Sequence, residues 1–268
     1  MSRSFDGVDD RLTTSGSVLN PAGSTFTISL WYMANINNAT KYFFNINDGS
    51  AVRSWSLIAT NVGGFQVQIA DSTQTGANFL LRRSASGVTT NVWTNLTVTG
   101  TGVFTDATSV KIYKNFSEVT YDLTQNGIGT EATHSGTWTL GGRTQDNTVN
   151  FNGNLAFSQF FNRVLSNGEI RQCAYYPGSI IKGLKWFIPA FGSTPELDYT
   201  INKNNAVVTG ALISKNNPPT NRVFGFNSKK YLGYPSRLNY INSKLSIVND
   251  STKISILDKT KSNILSWL

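Results

Sequence analysis

Charged and metal-binding side chains are scarce in this sequence. Asp, Glu, Lys and Arg make up 14% of the 268 residues, and there is one cysteine, Cys173, and one histidine, His134. A single cysteine excludes an intrachain disulfide, and we expect Cys173, placed in a helix, to be a small buried residue. Zinc sites normally combine several histidine or cysteine ligands. Because His134 lies in a Gly/Thr-rich loop without an apparent acidic partner, we expect neither a zinc site nor a catalytic triad there.

Long apolar stretches are also absent. No window approaches the roughly 20 apolar residues that a membrane-spanning helix needs. The first ten residues, MSRSFDGVDD, contain no apolar core of the length found in signal peptides. We therefore expect no membrane partner, and we expect synthesis in a cytoplasm without export by the signal-peptide route.

Short runs of alternating apolar and polar residues fill most of the first 170 positions. Residues 25–33, TFTISLWYM, are the clearest example, and further runs follow at the spacing of a meander. They end in a strand over 153–161 and a helix over 169–176, and Ser166 and Glu169 have the spacing of a capping box. About a dozen strands and one short helix predict an all-β fold: a two-sheet antiparallel jelly-roll sandwich with a short helix after the last strand.

Six short segments occur in the order typical of one family. They are Phe5–Asp10 (FDGVDD), Phe26–Trp31 (FTISLW), Val92–Leu96 (VWTNL), Val110–Asn115 (VKIYKN), Leu140–Gly142 (LGG) and Phe151–Leu155 (FNGNL), and the series ends in Leu165–Ile170 (LSNGEI). With these segments, residues 4–170 resemble the laminin-G-like domains of the concanavalin A-like lectin/glucanase superfamily. The resemblance implies two curved sheets, with any ligand bound on the concave face or by the rim loops.

The chain changes character after Tyr176. Residues 175–220 resemble, more loosely, a segment that follows such lectin-like domains in virion proteins of tailed bacteriophages. We therefore divide the chain into a sandwich over 1–176, a downstream segment over 177–220 that packs on it, and a C-terminal region over 221–268.

The net charge of +8 lies entirely in the second part of the chain. Residues 1–176 contain 11 basic and 11 acidic side chains, whereas residues 177–268 contain 12 basic and 4 acidic ones. Such a distribution favours a basic C-terminal extension that meets an acidic surface, although a solvated lysine-rich tail would have the same composition. Residues 221–268 would form an arm or small docking region that binds a neighbour or packs back on the sandwich.

The acidic residues argue against sugar hydrolysis. A retaining glycosidase holds its two catalytic carboxylates about 5–5.5 Å apart, and on one strand face they would stand at positions i and i+2. Apart from one N-terminal group, the acids of this chain occur singly, and no predicted strand carries such a pair. The sequence therefore predicts a protein that is not an enzyme.

The exception is the group Asp6, Asp9 and Asp10, which suits Ca²⁺ because this ion prefers hard oxygen ligands. The alternative is that Asp6 and Asp9 cap the turn at Gly7 through Asx hydrogen bonds. In many relatives the strand after the Phe-x-Gly segment continues with an acidic pair, and this chain has Ala156-Phe157 there. This departure argues against both a metal and an enzyme. The three aspartates nevertheless leave Ca²⁺ as the one possible cofactor.

Carbohydrate binding would need aromatic side chains near the surface. Trp31, Trp55 and Trp138 are the candidate ligand contacts, whereas Trp93 lies in a family segment and is expected in the core. Trp31 falls on the opposite strand face from the main apolar residues, and could be exposed or buried in a second core.

Candidate assembly residues lie in the C-terminal region: Lys229, Lys230, Arg237 and Trp267. Tyrosines accompany these basic residues at generic spacing, so nucleic acid is not an expected partner.

Together these features favour a non-enzymatic structural protein of a phage virion, either a capsid decoration or a fibre-type component. Its partners would be the phage coat protein or sister subunits, and its location the virion. The alternative is a glycan-binding adhesin, on a tail or a head, whose partner is a host cell-surface polysaccharide.

Overall fold

Alternating residues build two stacked sheets. The computed structural model describes residues 1–220, apart from 15–20, 22, 37–38, 48–52, 74–75, 134–135 and 144–148. These residues belong to one compact unit, Met1–Val223. The expected C-terminal arm, with Lys229, Lys230, Arg237 and Trp267, lies outside the described residues, as does His134.

Strands dominate the described part of the chain. In chain order they are β1 (Ser2–Asp6), β2 (Arg11–Thr14), β3 (Phe26–Ala34), β4 (Lys41–Asn47), β5 (Arg53–Ala59), β6 (Phe65–Ile69), β7 (Leu80–Ser84), β8 (Thr94–Gly100), β9 (Val110–Lys114), β10 (Ser117–Glu118), β11 (Tyr121–Gln125), β12 (Thr137–Leu140), β13 (Asn152–Phe161), β14 (Leu184–Ile188), β15 (Val207–Thr209) and β16 (Leu212–Ser214). Helix α1 (Asn167–Tyr175) follows β13, and 3-10 turns lie at Gly76–Asn78 and Ala107–Ser109. None of the helices in the described ranges has the length and apolar character that crossing a membrane requires.

The strands form two antiparallel sheets of eight strands each. Sheet A runs β10-β9-β8-β3-β13-β1-β16, with β14 also paired to β13. Sheet B runs β11-β7-β6-β5-β4-β12-β2-β15. All the neighbouring strand pairs are antiparallel. The predicted all-β sandwich with a short helix after the long strand is confirmed.

Every second residue of the central strands points into one core between the sheets. Edge-to-face ring contacts cross this core, as between Phe26 of sheet A and Trp55 of sheet B, whose centroids lie 5.5 Å apart. Trp138 of sheet B makes the same kind of contact with Phe160 and Trp186 of sheet A. These aromatic pairs stabilise the packing of the two sheets. Each pair in such geometry contributes about 0.5–1.5 kcal/mol in addition to the free energy gained by burying its surface.

Residues 177–220 extend both sheets. Strand β14 pairs with β13 and β16 pairs with β1 in sheet A, whereas β15 pairs with β2 in sheet B. The segment therefore contributes backbone hydrogen bonds to the sandwich itself.

Helix α1 begins with the predicted capping box. The N–H of Glu169 donates to Ser166 Oγ, and the N–H of Ser166 donates to Glu169 Oε2 over 3.0 Å. Arg163 adds two hydrogen bonds to the same carboxylate, of 2.9 and 2.6 Å. At the other end of the helix, the carbonyls of Cys173 and Ala174 accept hydrogen bonds from side chains of sheet A. Both ends of α1 are thus fixed by side-chain hydrogen bonds.

The N-terminal cap of α1 predicts a pH-dependent stability. Hydrogen bonds from Arg163, and then from the Ser166 amide, lower the pKa of Glu169 from 4.5 to about 2. Because its pKa is lower in the folded state, Glu169 stabilises the fold fully above pH 4.5 and loses this effect as the pH falls towards 2. Glu169→Gln should therefore lower the free energy of unfolding near neutral pH by about 1 kcal/mol, and by very little at pH 2.

Urea unfolding of both proteins between pH 2 and 7 measures this difference. Glu118→Gln is the control, because the ion pair of Glu118 with Lys111 is solvent-exposed and should contribute little at any pH. A Glu169→Gln difference that is the same at every pH would contradict the role of the carboxylate.

Candidate functional site

Helix α1 covers the outer face of sheet A. Ala174 packs on Trp31 and Ala156, and Ile170 and Cys173 belong to a second buried cluster on the same face. Cys173 is buried, as predicted, and burial raises the pKa of its thiol to about 12. At neutral pH it remains a protonated packing residue.

The outer face of sheet B carries a row of neutral polar side chains. Thr13, Thr139, Asn45, Ser56 and Gln68 stand side by side on β2, β12, β4, β5 and β6. Each alternates with buried core residues on its own strand, so it points away from the core. We call these five residues the polar row.

Two atoms at the centre of the polar row have no hydrogen-bond partner among the described residues. Ser56 Oγ donates to Asn45 Oδ1 over 2.8 Å, but Asn45 Nδ2 and Thr139 Oγ1 are buried and unpaired. Both side chains are 0% exposed. An unpaired buried polar group costs about 1–3 kcal/mol, and its presence in a native fold points to a bound ligand, an ordered water or stored strain.

The margin of the polar row is more open than its centre. Gln66 and Thr137 lie on the same outer face, one step along their strands from the row, and both are half-buried. Beyond Gln66, Arg83 holds Asp122 through two hydrogen bonds of 3.0 and 3.1 Å. The surface therefore offers amide and hydroxyl groups, which can bind neutral polar ligands.

Sequence reasoning missed Asn45 and Thr139, although a signal for each was present. Asn45 stands between Phe44 and Ile46, and Thr139 stands between Trp138 and Leu140. This alternation predicts that both face away from the core. The register that places Asn45 opposite Thr139 could not be read from the sequence, because β4 and β12 are about 90 residues apart.

The three tryptophans predicted to contact a ligand are buried, and this assignment is corrected. Trp55 and Trp138 are 0% and 1% exposed in the core between the sheets, where alternation directs them. Trp31 is 3% exposed because helix α1 covers it, and its Nε1 donates to the Ala174 carbonyl over 3.0 Å. Trp93, expected in the core, is half-buried against the Trp31 cluster.

Asp6, Asp9 and Asp10 converge at the turn between β1 and β2. A carboxylate oxygen of each lies within 4.8 Å of the others. Asp6 caps the turn, as predicted, by accepting the Val8 N–H over 2.7 Å. The second acceptor is Asp10 and not Asp9, since Asp10 Oδ2 accepts the Asp6 N–H over 2.7 Å.

The charges of this group oppose one another. Burial raises the pKa of Asp10, and repulsion from Asp6 and Asp9 adds to the effect. Oxygen-only ligands suit Ca²⁺, which takes about six to eight of them, so three carboxylates would need backbone or water oxygens to complete the site. The observed hydrogen bonds establish the turn-forming role, and Ca²⁺ binding stays a prediction.

We expect Ca²⁺ to raise the melting temperature of the protein by offsetting the repulsion among the three carboxylates. Asp9→Asn should remove this effect, because it lowers the charge of the group and leaves both observed turn hydrogen bonds in place. Thermal unfolding with excess Ca²⁺ and with EDTA measures the shift. A melting temperature that is equal in both conditions would contradict Ca²⁺ binding and leave the three aspartates only their role in the turn.

The positions at which relatives often carry acids are also unsuited to them here. Ala156 is 0% exposed and packs against Trp31 beneath helix α1. A carboxylate at this position would be buried among apolar side chains, at a large cost in solvation.

The matched family agrees with this geometry. A family profile described as the concanavalin A-like lectin/glucanases superfamily matches residues 6–171, from the end of β1 into helix α1. The chain belongs to this superfamily. The match leaves out β14, β15 and β16, which complete the two sheets of this lectin-like chain.

Two solved structures share the fold. A heptameric SAP-like pentraxin from Limulus polyphemus is 15% identical with a TM-score of 0.53, over 77% of this chain and 93% of the pentraxin. A candidate carbohydrate-binding protein from Bacteroides ovatus is 13% identical with a TM-score of 0.56, over 82% of this chain and 61% of that protein. At these identities the similarity concerns the fold alone. No curated protein matches the chain.

Proposed function

We propose that this protein is a non-enzymatic glycan-binding protein whose polar row contacts the sugar. The observation that carries the proposal is a pair of atoms with unused hydrogen-bonding capacity, Asn45 Nδ2 and Thr139 Oγ1, on paired positions of β4 and β12. Both atoms are buried, so a sugar that binds them must displace the groups that cover them. An amide N–H donates, a threonine hydroxyl donates and accepts, and a sugar hydroxyl complements both. A ligand that completes these hydrogen bonds removes the cost of leaving buried polar groups unpaired.

Neutral side chains favour binding without cleavage. Glycosidases flank the scissile bond with two carboxylates, about 5–9.5 Å apart according to their mechanism. The five residues of the polar row include no carboxylate, and Asp122 at the edge of the sheet is held by Arg83. The superfamily contains both lectins and glucanases by name, so the chemistry of the row is the argument for a binding role.

Thr139→Val tests this proposal, because it removes the hydroxyl and keeps the shape of the side chain. Since the hydroxyl has no partner in the described structure, the melting temperature should stay unchanged or rise slightly. Affinity for a bound polysaccharide should fall about tenfold, the effect of losing one hydrogen bond of roughly 1.4 kcal/mol. A polysaccharide array identifies the ligand, and titration calorimetry then measures the affinity.

Thr97→Val is the matched control. The Thr97 hydroxyl bonds to Ser29 Oγ and Asn95 Oδ1, over 2.9 and 3.0 Å, beneath helix α1. Its loss should lower the melting temperature and leave the affinity unchanged. If the Thr139→Val variant and the unmodified protein bind the polysaccharide with equal affinity, the polar row is excluded as the binding site. Release of reducing sugar from the polysaccharide would contradict the non-enzymatic role.

The distribution of charge supports a second, compatible proposal: the protein is a structural component of a tailed-phage virion, a capsid decoration or fibre-type component. Residues 177–268 contain 12 basic and 4 acidic side chains on a chain whose first part is neutral. Such a region suits attachment to an acidic coat protein or sister subunit. A component displayed in this way could also attach the particle to host-surface polysaccharide.

A variant in which Gln replaces Lys229, Lys230 and Arg237 should be present in fewer copies per virion. The reason is that it lacks three positive charges that favour attachment. Virion mass spectrometry measures this number, and co-sedimentation with coat protein at increasing salt measures the charge contribution. The control neutralises three basic residues of the body, Lys111, Lys114 and Arg171. A copy number that is unchanged, or lowered equally in the control, would contradict attachment through the C-terminal region.

A further inference from the structure

Aromatic side chains gather around the C-terminal end of helix α1, on the opposite face of the sandwich from the polar row. We call six of them the aromatic band: Trp93, Phe116, Tyr175, Phe157, Phe191 and Tyr199. Three of the six pack directly on the buried cluster that contains Trp31 and Ala174.

Ring contacts connect the other members to these three. The Tyr175 ring lies 5.2 Å from the Phe116 ring. The Phe191 ring lies 5.8 Å from that of Phe157 and 6.1 Å from that of Tyr199. The band therefore forms two groups of rings joined through the cluster beneath the end of the helix.

The rings of the aromatic band are half-buried. Tyr175 is 39% exposed, and the other five are intermediate between buried and exposed. The rings are thus held by packing, and part of each residue remains accessible to the solvent. Because such rings have little freedom to lose, a ligand can bind them at a low cost in side-chain entropy.

Two members of the band have strained backbone. Phe116 has a φ of 75° and Phe157 a φ of 51°, a region that a bulky side chain rarely occupies. Such a conformation costs free energy, and it persists where the surrounding structure enforces it. Strain of this kind clusters at functional sites.

The strain extends to the neighbours of the band. Asn91, Asn115 and Ala190, with φ of 58°, 46° and 62°, each precede a band residue by one or two positions. Elsewhere in the described ranges, Lys203 is the one non-glycine residue with positive φ. Five of the six positive-φ positions therefore lie at or beside rings of the band. Asn115 and Phe116 form the two-residue turn of the β9–β10 hairpin, and Phe157 lies at the bulge of β13.

We infer that the aromatic band is a second glycan-binding surface, which stacks on the apolar faces of sugar rings. Its ligand class rests on the glycan-binding function proposed above, but its residues and its face of the sandwich are separate from the polar row. Flat aromatic faces complement the C–H face of a pyranose ring. Asn91 and Asn115 are exposed and precede band residues by one or two positions. Asn115 Oδ1 accepts the Asn95 N–H over 2.9 Å, and the side-chain N–H groups of both residues are of the kind that donates to sugar hydroxyls.

A glycan fits this surface better than a second copy of the chain. The rings are partly sunk between other side chains, and exposed asparagine amides interrupt them. A protein–protein interface of standard size would instead need a larger continuous surface with a desolvated centre. With one glycan surface on each face of the sandwich, a single molecule could link two polysaccharide chains.

The experiment uses the full-length chain and an array of bacterial capsular and O-antigen polysaccharides as the probe. Phe116→Asn removes a ring at a position where Asn tolerates positive φ, and Tyr175→Ala removes one at the last residue of helix α1. Each should weaken binding to the best polysaccharide about tenfold. Each should also reduce precipitation of that polysaccharide, because precipitation needs both surfaces.

Ile201→Ala is the control, since Ile201 is 80% exposed and lies outside the band; its binding should be unchanged. Circular dichroism checks that the Phe116→Asn variant folds. If this variant does not fold, the Tyr175→Ala variant alone tests the inference. Unchanged affinity and precipitation in the band variants would overturn the inference, even where Thr139→Val confirms the polar row. The inference also fails if the unmodified protein binds no polysaccharide, or if the band variants change the oligomeric state in ultracentrifugation and not the affinity.

Discussion

A buried ion pair between Arg3 and Glu196 joins the first strand of the sandwich to its last segment. Arg3 Nε donates to Glu196 Oε1 over 2.7 Å, and the other guanidinium nitrogens donate to the carbonyls of Ser193 and Ala211. The two side chains are 4% and 0% exposed. Removing one partner of such a pair costs about 3–5 kcal/mol, because it leaves a buried charge uncompensated. Residues 177–220 are therefore held to β1 by this buried ion pair as well as by strand pairing.

The connection between β13 and β14 determines what covers the outer face of sheet A. Strands β1 and β14 share one edge of β13, and the chain that connects β13 to β14 crosses the outer face of sheet A as helix α1. A sheet covered in this way can carry large apolar groups such as Trp31 on its outer side. Among the described residues, no helix covers sheet B in the same way, and its outer face carries the polar row. The division between an aromatic surface and a polar surface thus follows from the connectivity.

Local pattern was enough to predict the sandwich, the helix and its cap, because these depend on alternation and on residues three apart. The same alternation could have placed Trp55 in the core, since it stands between two serines. Trp31 was different, because burial on its face depends on a helix that is about 140 residues away in the chain. The pairing of Arg3 with Glu196 and the register of Asn45 with Thr139 are also long-range, and no local rule contains them.

The polar row and the aromatic band share one property: each contains a locally unfavourable feature. The polar row leaves two buried atoms unpaired, and the aromatic band holds Phe116 and Phe157 at positive φ. Other residues would meet the local requirement at lower cost, because a valine in the row leaves no hydroxyl unpaired and a glycine adopts the positive φ of Phe157 more readily. Local violations in an otherwise consistent fold are expected at functional sites, where a bound ligand compensates for them. Since the two surfaces lie on opposite faces, a ligand bound at one would not compensate for the unfavourable feature at the other.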